Sequence, residues 1–147
     1  VSDEEFFSRF EEGSLPLDAF HHQDHVRMAF LYLQRYAPLE AIRNFSEALG
    51  RFAAVHGKHG LYNETITWAL LLLIREWRAR ASRPQSWEEF AAANPDLMSW
   101  QNNVLKKYYR PETLSSELAK ATFLFPDQID GCSDRAPSDP GEACREP

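Results

Sequence analysis

The sequence predicts an all-α fold: a single-domain helical bundle of about six or seven helices over residues 1–126, followed by a flexible acidic tail over 127–147. Three observations lead there. Apolar residues recur at three- and four-residue steps through most of the body, strand-like alternation is absent, and helix-starting and helix-stopping residues stand where the apolar stripes begin and end. The chain has 147 residues, 44% of them apolar and 26% charged, which suits one soluble domain. Ten Phe, five Tyr and four Trp can fill a dense core, so full-length disorder is excluded.

The elements follow in order. Residues 3–12 read as a short amphipathic helix with Phe6, Phe7 and Phe10 on one side. Residues 13–17, with Gly13 and Pro16, connect it to a second helix over about 20–36. Pro38 opens a third, because proline fits a first helical position, and this helix ends near His56-Gly57. A fourth runs over about 63–81 with Asn63 as its cap, and its apolar run from Ile66 to Ile74 marks it as the central helix. Ser86-Trp-Glu-Glu89 is a capping box that opens a fifth helix, which stops at Asn94-Pro95. A sixth is expected over about 95–109, its basic end Lys106-Lys107-Tyr-Tyr-Arg110 complementing the helix dipole, and a short seventh over about 116–123.

Composition and charge exclude several classes. The net charge is -6, which disfavours a nucleic-acid partner. The longest apolar stretch, 66–74, is interrupted by Thr67 and falls far short of the ~20 residues of a membrane span. Val1-Ser-Asp-Glu-Glu5 is acidic and carries neither a basic nor an apolar leader segment. The tail holds Asp127, Asp130, Asp134, Asp139, Glu142 and Glu146 against Arg135 and Arg145, and it has too few large apolar side chains to offset its ordering entropy. Cys132 and Cys144 both lie in it. They are read as reduced thiols, and a cytoplasmic location is the expectation.

The five histidines concentrate at one end of this bundle. On the second helix the stripe Val26, Ala29, Leu33, Tyr36 extends back one turn to His22, with His25 beside it. His21 sits between the two faces, and Asp24 on the wet face is expected to pair with Arg27. The third helix's stripe Ile42, Phe45, Leu49, Phe52 leads to His56. On the fourth, Asn63, Ile66, Thr67 and Leu70 face inward and Glu64 lies nearer the boundary. Short connections make successive helices antiparallel, so the start of the second, the end of the third and the start of the fourth meet. That end collects His21, His22, His25, His56, His59, Asn63, Glu64 and Thr67. Each has an ordinary structural explanation as well: His56 as a hydrogen-bonded core residue, Asn63 as a cap, and Glu64 as a first-turn acid favoured by the dipole.

Together they suggest chemistry. His22 and His25, at i and i+3, can aim two imidazoles at one ion, with His56 or Glu64 completing the set. Two histidines and a carboxylate suit non-haem iron, three histidines suit catalytic zinc, and the same groups without a metal could act as general acids and bases. The expectation is a small helical enzyme acting on a small organic molecule, with His22, His25, His56 and Glu64 as catalytic or metal-binding residues. Phe20, His21, Tyr62, Asn63, Thr67 and Trp68 would bind substrate. The alternative is a non-catalytic small-ligand-binding or accessory protein that docks on an enzyme partner, and a homodimer is also open. Hydrolysis, oxidation and elimination are not distinguished.

Two stretches carry a resemblance: Phe20-His-His-Gln-Asp-His-Val-Arg27 with Ala29-Phe-Leu-Tyr-Leu33, and Gly60-Leu-Tyr-Asn-Glu-Thr-Ile-Thr67. They resemble a group of small, mostly uncharacterised bacterial all-helical proteins with F-x-H-x-x-H near the start and Y-H-x-T-x-T in the middle. Arg110-Pro-Glu-Thr-Leu114 resembles their C-terminal part. His22 and His25 match the first motif, and Tyr62, Thr65 and Thr67 the second. Asn63 departs where the pattern has histidine, which weakens the metal expectation unless His56 or Glu64 fills that place. The resemblance brings no settled activity with it.

Overall fold

Capping chemistry places the helix ends in the computed structural model, which describes residues 1–101 and 103–128. Helix α1 (Asp3–Glu12) starts on Ser2, whose hydroxyl accepts the Glu5 N–H, and stops at Gly13 with φ 74°, a left-handed turn that glycine adopts without strain. A 3-10 turn (Leu17–Ala19) leads to α2 (His22–Arg35), and α3 (Pro38–Val55) opens on its proline. After a second 3-10 turn (His59–Leu61) comes α4 (Glu64–Arg80), capped by the Asn63 carboxamide oxygen. In α5 (Trp87–Ala93), Ser86 and Glu89 exchange side-chain and backbone hydrogen bonds of 3.1 Å each. Two more 3-10 turns (Pro95–Met98 and Val104–Lys107) precede the short helices α6 (Pro111–Leu114) and α7 (Glu117–Ala121). The described residues are thus all-helical, without a strand.

The long sixth helix expected over 95–109 is not formed. Asn103 turns its side chain onto the Leu105 N–H at 2.8 Å, a local bond that competes with continued helix, so only two 3-10 turns form. The central helix is α2 rather than α4. It buries Val26 and every residue from Met28 to Leu33, and it packs against α1, α3, α4 and α5, whereas Leu72 and Arg75 of α4 face outward. Aromatic rings fill the space around α2: Phe10, Phe20 and Phe52 lie pairwise with centroids 4.8–5.4 Å apart, and Phe45 and Tyr32 extend the cluster. Arg27 does not pair with Asp24. It binds Asp3 of α1 at 2.6 Å and lies over the Phe6 ring, while Asp24 accepts the His21 N–H at 2.9 Å and so closes the start of α2.

The chain after α7 returns along α4. The fully buried Thr65 hydroxyl donates to the Thr122 carbonyl at 2.8 Å and accepts the Leu124 N–H at 3.1 Å. Tyr109 donates to the Leu124 carbonyl at 2.7 Å. Asp127 accepts the Arg110 N–H and the Thr113 hydroxyl, and the Gln128 N–H reaches the Tyr108 carbonyl. Asp127 and Gln128 are therefore tied to the body, although composition assigns them to the tail. Cys132, Cys144 and the rest of the expected tail lie outside the described residues. Among the described residues no helix is long and apolar enough to cross a membrane.

Candidate functional site

The start of α2, the end of α3 and the start of α4 meet around a cavity of about 390 Å³. Its apolar wall comes from Leu49, Phe52 and Ala53 of α3 and Ile66 and Leu70 of α4. Leu17, Leu61 and Trp100, all exposed, stand at its mouth. His22, His25, Lys58, Tyr62, Asn63 and Thr67 supply the polar lining. The size lies within the range of small-molecule sites, about 300–1,000 Å³. Among the described residues no Asp or Glu lines it.

Most of this polar lining is already committed. The Asn63 side chain donates to the Leu114 carbonyl at 2.7 Å and accepts the Ile66 N–H at 2.9 Å. The Thr67 hydroxyl donates to the Asn63 carbonyl at 2.7 Å. The Tyr62 hydroxyl donates to Glu64 at 2.5 Å, and burial, followed by that bond, pushes its pKa up to about 12. His22 Nε2 lies 2.8 Å from the Leu97 carbonyl. A carbonyl only accepts, so Nε2 carries the proton and Nδ1 keeps its lone pair. Burial holds the His22 pKa below its ordinary value, partly offset by the Leu97 bond.

His25 is the exception. Among the described residues neither of its ring nitrogens has a hydrogen-bond partner; its neighbours are the Phe20 ring, with centroids 4.2 Å apart, and His22. Burial, then the proximity of His22, lowers its pKa to about 4. At neutral pH it is an uncharged imidazole with one donor and one acceptor unused.

The remaining expected site residues lie elsewhere. His56 does not converge with His22 and His25. It caps α3, packs on Phe52 with ring centroids 4.6 Å apart, and places Nε2 3.1 Å from the Leu15 carbonyl, a bond that fixes the connector before α2. Glu64 faces a second cavity of about 490 Å³ between α3 and α4, shared with Ser46, Tyr62 and Trp68. Trp68 stacks on Phe123, Phe20 is buried behind His25, and His21 is exposed at the start of α2. The backbone of His59 lies in the 3-10 turn before α4. The expected set of His22, His25, His56 and Glu64 is therefore not assembled. Among the described residues no three His, Cys, Asp or Glu side chains are placed to share a metal ion, so His22, His25, His56 and Glu64 do not form the iron or zinc centre that the spacing suggested.

Sequence reasoning missed the lining residues Leu17, Ala53, Lys58, Leu61 and Trp100, of which Lys58 and Trp100 bear polar groups. Gly57, at φ 67°, turns the chain after α3, and the Lys58 N–H returns to the Ala53 carbonyl, which sets Lys58 at the cavity edge. That glycine stop beside His56 was a usable signal. Trp100 comes from the irregular segment between two 3-10 turns and rests 5.3 Å from the His22 ring, for which no periodicity gives a sign.

In comparisons with known proteins, no family model, curated protein or solved structure matches the chain.

Proposed function

We propose that this chain binds a small, mainly apolar organic molecule in the cavity between α2, α3 and α4, with His25 as its principal polar contact. The observation that supports the reading is the unpartnered His25 imidazole on an otherwise apolar wall. His25 is half-buried and lines the cavity, so its unused donor and acceptor are offered to whatever fills that space. A ligand that bonds to the ring uses them. The reading favours binding over turnover on magnitude. A general base works best with a pKa near the operating pH, and a group at about 4 is a weak proton acceptor at neutrality.

The test is a fluorescence titration with phenylnaphthylamine, an uncharged dye that brightens in apolar surroundings. Wild type is expected to bind it saturably at one site. Ala53→Phe, which fills the wall from α3, is expected to abolish binding while retaining the circular dichroism of the helices. Binding that survives Ala53→Phe unchanged would place the dye elsewhere and overturn the reading.

A further inference from the structure

Resting on that reading, we infer that the ligand carries a negative charge: an apolar molecule with a single carboxylate or comparable anionic head, its body between Leu49, Phe52, Ile66 and Leu70 and its head toward Lys58 and His25.

The lining is electrically one-sided. Among the described residues Lys58 is its one full charge, His22, His25 and Tyr62 are its other titratable groups, and no carboxylate lines it. Of the acids next to lining residues in sequence, Asp24 closes the start of α2 on the His21 N–H, Asp18 is exposed, and Glu64 is turned into the neighbouring cavity and held there by Tyr62. Lys58 forms no ion pair among the described residues, as is true also of Arg9, Arg43, Arg75, Arg78, Lys106, Lys107 and Arg110, but it alone of these lines the cavity. A cationic ligand would meet an ammonium group with no counter-charge. An uncharged ligand would leave Lys58 unused. An anion satisfies Lys58 and accepts the one N–H that neutral His25 has free.

The hydrogen-bond inventory sharpens the choice. Asn63, Thr67 and Tyr62 each spend a donor on Leu114, Asn63 and Glu64, and His22 spends its Nε2–H on Leu97. The donors left over are those of Lys58 and His25, the Trp100 indole N–H and the second N–H of Asn63, with few acceptors beside them, which suits an acceptor-rich head rather than a ligand bristling with hydroxyls. The apolar walls come from two helices and would exclude a strongly hydrated polyanion.

Two dyes with the same rings test this: phenylnaphthylamine, which is neutral, and anilinonaphthalene sulfonate, whose sulfonate stays ionised across the working pH range. At low ionic strength the sulfonate is expected to bind wild type at least about fivefold more tightly than the amine, the size of a favourable partly exposed charge contact. Lys58→Met should remove that advantage without weakening the amine, and Lys58→Arg should keep it. Ala53→Phe should abolish both, which separates the cavity from unspecific dye binding. If the amine binds and the sulfonate binds no better, or if Lys58→Met weakens both dyes alike or neither, the anionic assignment is wrong while the cavity reading stands. If neither dye binds, the cavity reading fails and the assignment falls with it.

Discussion

The Asn63 carboxamide joins the start of α4 to Leu114, a residue 51 positions further along the chain. Its nitrogen donates to the Leu114 carbonyl at 2.7 Å while its oxygen accepts the Ile66 N–H at 2.9 Å. One side chain thus caps a helix and anchors α6, and it is buried while doing both. Asn63 thus has a structural task while it lines the cavity.

Replacing Asn63 should therefore cost more than an ordinary cap. Asn63→Ala is expected to lower stability by about 2–3 kcal/mol, combining a lost cap of about 1 kcal/mol with a buried carbonyl left without a donor. Asn63→Asp keeps an acceptor for the Ile66 N–H but offers no donor to Leu114, and it sets a carboxylate against a carbonyl. Urea unfolding should find both variants destabilised, with Asn63→Asp no better than Asn63→Ala. A loss below about 0.5 kcal/mol in both would show that the Leu114 bond contributes nothing.

Acid should unfold the protein in part through His25. Its folded pKa is about 4, below the ordinary 6.5, so the unfolded chain takes up the proton first. The contribution is fully present above about pH 6.5 and is lost as pH falls through about 4, the whole loss amounting to about 3 kcal/mol. The titratable group beside the ring, His22, is basic and opposes its protonation. His25→Leu should flatten the stability profile across that window while leaving stability at pH 7.5 equal or raised, because an unpaired polar group has gone. Equal slopes for wild type and variant between pH 6.5 and 4.5 would contradict the placement of His25.

The last described residues contribute to the fold. A chain ending at Gln128 is expected to melt with the full chain, since the segment beyond it offers little apolar area to bury. A chain ending at Pro126 loses the Asp127 bonds to Arg110 and Thr113 and the Gln128 bond to Tyr108, and should be less stable by about 1–2 kcal/mol. Calorimetry of the two truncations separates the contributions. Identical melting would show that these bonds are idle.

Thr65 gives a cleaner hydroxyl test. Thr65→Val keeps the shape and strands both the Thr122 carbonyl and the Leu124 N–H, which should cost about 2–3 kcal/mol. Thr65→Ser keeps the hydroxyl and should recover most of that loss. Equal stability of the valine and serine variants would place the role of Thr65 in its methyl group.

The parts of the fold that could be read in the sequence are those written in local chemistry. Ser86 with Glu89, Asn63, Pro38 and the glycines at 13 and 57 mark helix ends by interactions within a few residues, and the stripes on α2 and α3 identify buried faces. The location of the site at one end of the bundle follows from those helices and their short connections. The partners of the histidines do not. His56 and His22 bind the carbonyls of Leu15 and Leu97, 41 and 75 residues away, and a backbone carbonyl has no sequence signature. His56 therefore looked available from its stripe although it is already bonded. Glu64 was misplaced because its direction depends on Tyr62, two residues before it and outside the helix that carries it. The failed helix over 95–109 turns on Asn103, whose side chain can bond locally or point outward with equal propriety by composition alone.

The return of the chain along α4 fixes the order in which the protein can assemble. The bonds from Thr65 to Thr122 and Leu124 close loops of 57 and 59 residues, and Asn63 closes one of 51. Closure of such loops carries an entropic cost that must be met before the contacts reward it, so these contacts form late. Helices α1 to α3 can associate through adjacent segments alone. Every described residue that lines the cavity lies between Leu17 and Trp100, so its walls are all synthesised before residues 114–124. What the late contacts add is the anchor on Asn63 and Thr65 at the start of α4, which a chain halted before Leu114 would lack.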